Sequence, residues 1–243
     1  CYKNLSRKGR ITMALITCEG LVKKYGNMTA LSDFSIEIPA GRIIGILGPN
    51  GSGKTTFIKS LCGVLTPEAG TIRIDGKEVG TESKKIVSYL PERPYFSSAV
   101  RVKETLDFFE GFYEDFERKT ALHMLSTLQI DLKRKIGSLS KGTREKLQLV
   151  LVMSRRAKVY LLDEPMGGVD PAARDFILKT ILTNYSEDAS VLISTHLISD
   201  VEKVLDEVVF IKHGKLALHK PVDDIRMEEK KSVDMLFREV FAC

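Results

Sequence analysis

An α/β fold built on a mostly parallel sheet is the class this sequence predicts, and three observations predict it. Ile43–Leu47, Val159–Leu162 and Ser190–Thr195 are short, largely apolar runs without the alternation of a half-solvated strand, so they read as strands buried on both faces. The first run leads directly into Gly48-Pro49-Asn50-Gly51-Ser52-Gly53-Lys54-Thr55-Thr56. That stretch precedes Phe57-Ile58-Lys59-Ser60-Leu61-Cys62, whose apolar positions recur at helical spacing. The other two runs end in chemistry, Asp163-Glu164 and His196. Ligands of parallel sheets gather at the carboxyl ends of strands.

Taken in order, the chain opens on Lys3, Arg7, Lys8 and Arg10 with no acid before Met13, and residues 1–12 are expected to be a non-native or disordered leader. The stretch is too weakly apolar before Glu19 to read as a signal peptide. Ala14–Glu19 and Phe34–Ile38 read as strands of an N-terminal antiparallel β subdomain, the second by its alternation. Lys23-Lys24-Tyr25-Gly26 between them is expected to be a turn. The loop after Leu47 has the strand–glycine loop–helix context of a phosphate-binding P-loop. Thr71–Gly76 is an alternating strand with its turn, and Ile86–Leu90 is a central strand ending at Pro91-Glu92.

Eight of the 18 aromatic residues fall between 89 and 116, and the apolar spacing from Val102 to Leu132 is helical. A helical subdomain is therefore expected at about 93–155, inserted into an ATP-binding unit of residues 13–222. Most of these rings suit that subdomain's small core, and a cluster this dense also suits a groove for a partner helix. Leu139–Thr143 introduces a helix through Arg144 to Met153. Val208–Ile211 and Lys215–Leu218 read as strands about a turn at Gly214. Val233–Phe241 has the spacing of an amphipathic helix, within a C-terminal segment of 223–243.

At 43% hydrophobic residues, 243 residues bury one substantial core, and no apolar run approaches the roughly 18 residues that cross a bilayer. The net charge of +5 invites a nucleic-acid reading, but four of those charges sit in the first 12 residues. No nucleic acid partner is expected. Cys1, Cys18, Cys62 and Cys243 are far apart and suit neither a zinc site nor a disulfide framework.

In the P-loop, backbone N–H groups curl around phosphate oxygens, Lys54 reaches the β- and γ-phosphates, and the Thr55 hydroxyl takes a Mg²⁺ position. Asp163 suits the acidic position that supports Mg²⁺. Glu164 can polarise a water in line with the γ-phosphate, and His196 can hold that water. Tyr25 can stack on an adenine face or simply pack.

With these residues in view, the chain resembles the nucleotide-binding subunit of an ABC transporter from about Leu15 to Leu218. The matching stretches are the aromatic Tyr25, Walker A at Gly48–Thr56, the Q-loop region Tyr89-Leu90-Pro91-Glu92 and the signature Leu139–Thr143. Walker B at Val159–Asp163 with Glu164, the D-loop Gly168-Val169-Asp170 and the switch His196 complete the set. The resemblance implies a P-loop NTPase fold, ATP and Mg²⁺, and a head-to-tail dimer. In that dimer Ser140 and Gly142 of one subunit would face the triphosphate held by its twin, and Asp170 would lie at the same seam.

Two departures stand out. Lys141 and Thr143 replace residues of the usual Leu-Ser-Gly-Gly-Gln signature, and Glu92 replaces the Q-loop glutamine. A carboxylate there can approach Mg²⁺ with Thr55 and Asp163, but repels the γ-phosphate when the metal is absent. The implied function is ATP hydrolysis powering transport by separate transmembrane permease subunits. The implied place is the cytoplasmic face of the membrane, as a homodimer or a heterodimer with another ABC ATPase. The alternative is a soluble ABC ATPase acting on ribosomes, DNA or an assembly scaffold.

Overall fold

The computed structural model describes residues 14–167 and 171–242. The proposed leader and Asp170 lie outside the described residues. In chain order the elements are β1 (Ala14–Tyr25), β2 (Met28–Pro39), β3 (Ile43–Leu47), α1 (Lys54–Leu61), β4 (Ala69–Ile74) and β5 (Lys77–Glu78). They continue with α2 (Thr81–Ile86), β6 (Val87–Leu90), α3 (Val102–Phe112), α4 (Arg118–Thr127), α5 (Lys141–Met153), β7 (Val159–Asp163) and α6 (Pro171–Asn184). The last are β8 (Ser190–Thr195), α7 (Ile198–Val201), β9 (Glu207–Lys212), β10 (Lys215–Pro221), α8 (Val222–Glu228) and α9 (Val233–Phe241).

The central sheet runs β10-β9-β3-β8-β7-β6, parallel throughout except for β10. Its inner strands are apolar on both sides because both faces are covered. Along β7, Tyr160 and Leu162 face one core while Val159 and Leu161 face the other. The first core is closed by helices α5 to α9, and the second by α1 and a four-stranded antiparallel sheet of order β2-β1-β4-β5. That antiparallel sheet is therefore assembled from both sides of the P-loop in sequence, not from the N-terminal segment alone. Register decides where chemistry collects: Leu47 pairs with Thr195, and Ser194 with Asp163. The P-loop, the Asp163-Glu164 pair and His196 thus emerge at one edge.

Two local expectations are corrected, and the expected helical subdomain resolves into its helices. Lys23 and Lys24 belong to β1, where they pair with Leu31 and Thr29, so the turn is Gly26-Asn27. Glu68 secures that extension, accepting from Lys23 Nζ at 2.6 Å and from the Lys24 N–H at 2.9 Å. The helical run from Val102 is two helices, broken where the Glu117 N–H donates to Ser154 O and the Arg156 N–H to Asp115 O. Helix α5 begins at Lys141 rather than Arg144, because the Ser140 hydroxyl caps it by accepting the Thr143 N–H at 3.2 Å. Helices α3, α4 and α5 enclose a third apolar core around Leu106, Phe109, Leu125 and Leu147.

Candidate active site

The P-loop is shaped by close approach. A side chain at Gly48 would meet Ile211 O at 2.6 Å, and one at Gly53, whose φ is +114°, would meet Ala30 O at 2.5 Å. Only glycine fits where the loop is wedged between β2 and the end of β9. Lys54 opens α1, and its Nζ donates to Gly48 O at 2.8 Å and Pro49 O at 3.2 Å. The ammonium therefore bends back over its own loop. Burial lowers its proton affinity below the usual lysine range, and Glu164, Asp163 and Glu92, in that order, oppose the fall.

Strand β7 supplies two of the acids, Asp163 at its end and Glu164 directly after it. Thr55 Oγ1 donates to Asp163 Oδ1 at 3.0 Å, and Ser194 Oγ donates to the same oxygen at 2.6 Å. Asp163 is 1% exposed, yet its Oδ2 has no partner. A buried carboxylate oxygen left open beside a threonine hydroxyl is the donor chemistry of a Mg²⁺ site. Among the described residues no three His, Cys, Asp or Glu side chains converge closely enough to hold a metal unaided. Phosphate and water oxygens would complete the shell.

Glu164 follows in the left-handed region, φ +49°, which a non-glycine residue adopts at a cost. Its N–H donates to both the carbonyl and the hydroxyl of Ser194, each at 3.1 Å. The carboxylate bridges two side chains: Oε1 is 3.8 Å from Lys54 Nζ, and Oε2 is 3.1 Å from His196 Nδ1. His196 itself is half exposed at the mouth. Lys54, Thr55, Glu164 and His196 line a cleft of about 880 Å³. Tyr25 borders it from the β1–β2 hairpin, Glu92 from the end of β6, and Lys141 and Arg144 from the start of α5.

The geometry is matched by kinship. A sequence-family profile described as ABC transporter fits residues 31–167. The chain belongs to the ABC transporter family. It is 31% identical over 235 residues to the SkfA peptide export ATP-binding protein SkfE of Bacillus subtilis, covering 93% of this chain and 98% of that one. It is 31% identical over 232 residues to the lantibiotic transport ATP-binding protein SrtF of Streptococcus pyogenes, covering 93% and 99%. A solved ATP-binding subunit of an ABC transporter superposes with a TM-score of 0.84 at 26% identity, covering 93% and 99%. This ABC protein is therefore the ATP-binding, ATP-hydrolysing subunit of a membrane transporter. No helix among the described residues is long and apolar enough to cross a membrane.

Of the residues singled out by sequence, the ABC cleft brings together Tyr25, Asn50, Gly51, Gly53, Lys54, Thr55, Thr56, Glu92, Glu164 and His196, with Asp163 hydrogen-bonded to Thr55 beneath. Ser52 is buried in the loop, and its hydroxyl has no partner. Ser140 is exposed as the cap of α5. Sequence reasoning missed Ser194, which ties Asp163 to Glu164. Its signal was available: a polar residue in an otherwise apolar, doubly covered strand needs a buried partner.

Proposed function

We propose that this subunit works as one half of an ATP-gated clamp, with Lys54 and the P-loop holding the triphosphate, Glu164 as general base and His196 as its positioning partner. The pinning of Glu164 between Lys54 and His196 carries this reading. A carboxylate fixed by a neighbouring imidazole beside a phosphate-binding lysine is poised to take a proton from an attacking water. Thr55 and Asp163 would hold Mg²⁺, and when bound the metal neutralises phosphate charge and polarises the group being transferred. Tyr25 would support the adenine ring.

The open start of α5 supports a shared site. Ser140, Lys141 and Gly142 stand at a helix N-terminus, which favours an anion. We read it as the group offered to the triphosphate of a second copy or of a related ATPase subunit. Separate transmembrane permeases at the cytoplasmic face of the membrane would receive the stroke. The exposed, stacked pair Phe108 and Phe112 on α3, with Tyr95 nearby in the same aromatic set, supports a docking face for them. The names of SkfE and SrtF favour export of a peptide-like cargo.

The test is Glu164→Gln, which keeps shape and removes the base. With MgATP the variant should accumulate as a nucleotide-bound dimer on size-exclusion chromatography with turnover lost. A variant that stays monomeric, or that turns over normally, overturns the scheme.

A further inference from the structure

Glu92 is a carboxylate of the cleft that the mechanism above leaves without a task. It is exposed, lies just past the C-terminal end of β6, and borders the same cleft as the P-loop. The residues lining that cleft carry Lys54, Arg93, Lys141 and Arg144 against Glu92, Glu145 and Glu164. Asp163, beneath, supplies a fourth acid. A site meant for a highly charged anion is thus close to electrically neutral on its own.

Two buried oxygens in this region lack partners. Asp163 Oδ2 has no partner, and neither has the Tyr89 hydroxyl, two strand residues before Pro91-Glu92. Burial first, then Asp163, Cys62 and Glu92, push the Tyr89 phenol above its usual range, so the three oxygen-bearing side chains share one electrostatic neighbourhood. The Asp163 and Glu92 carboxylates are satisfied by a hydrated cation and not by a bare phosphate.

We propose that Glu92 makes triphosphate entry conditional on a divalent cation, repelling the metal-free nucleotide and favouring the metal-bound one. This rests on the reading of the cleft as the ATP site. A neutral amide in that position would accept either form. One carboxylate facing phosphate oxygens at roughly 6 Å, in a medium of effective dielectric about 20, is worth on the order of 30- to 100-fold in affinity.

The experiment measures binding of a non-hydrolysable ATP analogue to the full chain by calorimetry, in excess Mg²⁺ and in EDTA. The native chain should show a large Mg²⁺-to-EDTA affinity ratio. Glu92→Gln should shrink that ratio by about 10-fold or more through tighter metal-free binding, and the effect should fade in high salt. Glu92→Asp, which keeps the charge, should retain the native ratio. Metal-free binding by Glu92→Gln no tighter than native overturns the proposal while leaving the ATP site intact. Absence of analogue binding by the native chain even with Mg²⁺ overturns the ATP-site reading as well.

Discussion

The hydroxyl of Ser194 lies 2.6 Å from Oδ1 of Asp163, a bond made across the neighbouring strands β8 and β7. The same hydroxyl receives the Glu164 N–H, so one side chain sets the position of two adjacent acids. Ser194→Ala should cost about 1 kcal/mol of stability and lower ATP turnover about tenfold. Chemical denaturation paired with phosphate-release assays would separate the two effects. Normal turnover in a stable variant would remove Ser194 from the site.

His196 touches Glu164 and stands half exposed at the mouth of the cleft. Its loss should therefore act on turnover more than on binding. For His196→Ala the expected result is a kcat about 100-fold lower, with MgATP affinity changed less than about threefold. Steady-state kinetics beside equilibrium binding would show the split.

Arg155 joins the helical core to the sheet. Its guanidinium donates to Val87 O and Lys85 O, each at 2.6 Å, pairs with Asp115 at 2.9 Å, and stacks 3.7 Å above the Tyr113 ring. Being 3% exposed, it cannot be removed without orphaning these groups. Arg155→Met should cost roughly 3–5 kcal/mol, and Arg155→Lys should recover only part, since an ammonium cannot serve all three acceptors in one plane. Urea unfolding is the measurement.

Cys18 on β1 is buried, and burial pushes its thiol up to about 12. The folded chain holds this proton more tightly than the unfolded chain, whose thiols titrate near about 8.5. The stabilisation is thus fully present below about 8.5 and is lost as pH rises through about 12. Cys18→Ala gives up packing at neutral pH but escapes that loss. The stability gap between native and variant should narrow by on the order of 1–2 kcal/mol between about pH 7.5 and about pH 10. A constant gap would show that the thiol does not contribute.

The strands around the site were legible because each is a compact apolar run with a chemical group at its end. The run Ser190–Thr195 is the strand β8 itself, and the run Val159–Leu162 is extended by one residue to Asp163 in β7. Gly26 was misjudged as the close of a turn beginning at Lys23, because Glu68, more than 40 residues on, stabilises Lys23 and Lys24 in the strand. The helical run from Val102 to Leu132 hid its break for a similar reason. Hydrophobic spacing continues across it, while the backbone there bonds to Ser154 and Arg156.

What the sequence determined by itself was the reaction, because phosphate binding needs a glycine loop, a lysine and strand-end acids in a local order that can be read from one chain. Which groups meet was decided only by tertiary structure. The alignment of β3, β8 and β7 brings Thr55, Asp163, Glu164, Ser194 and His196 to one edge, and the path after β6 adds Glu92 to the cleft they border. The physical reason is range: loop conformation and strand burial follow from neighbours in sequence, whereas strand register and the sharing of a buried carboxylate depend on partners more than 30 residues away.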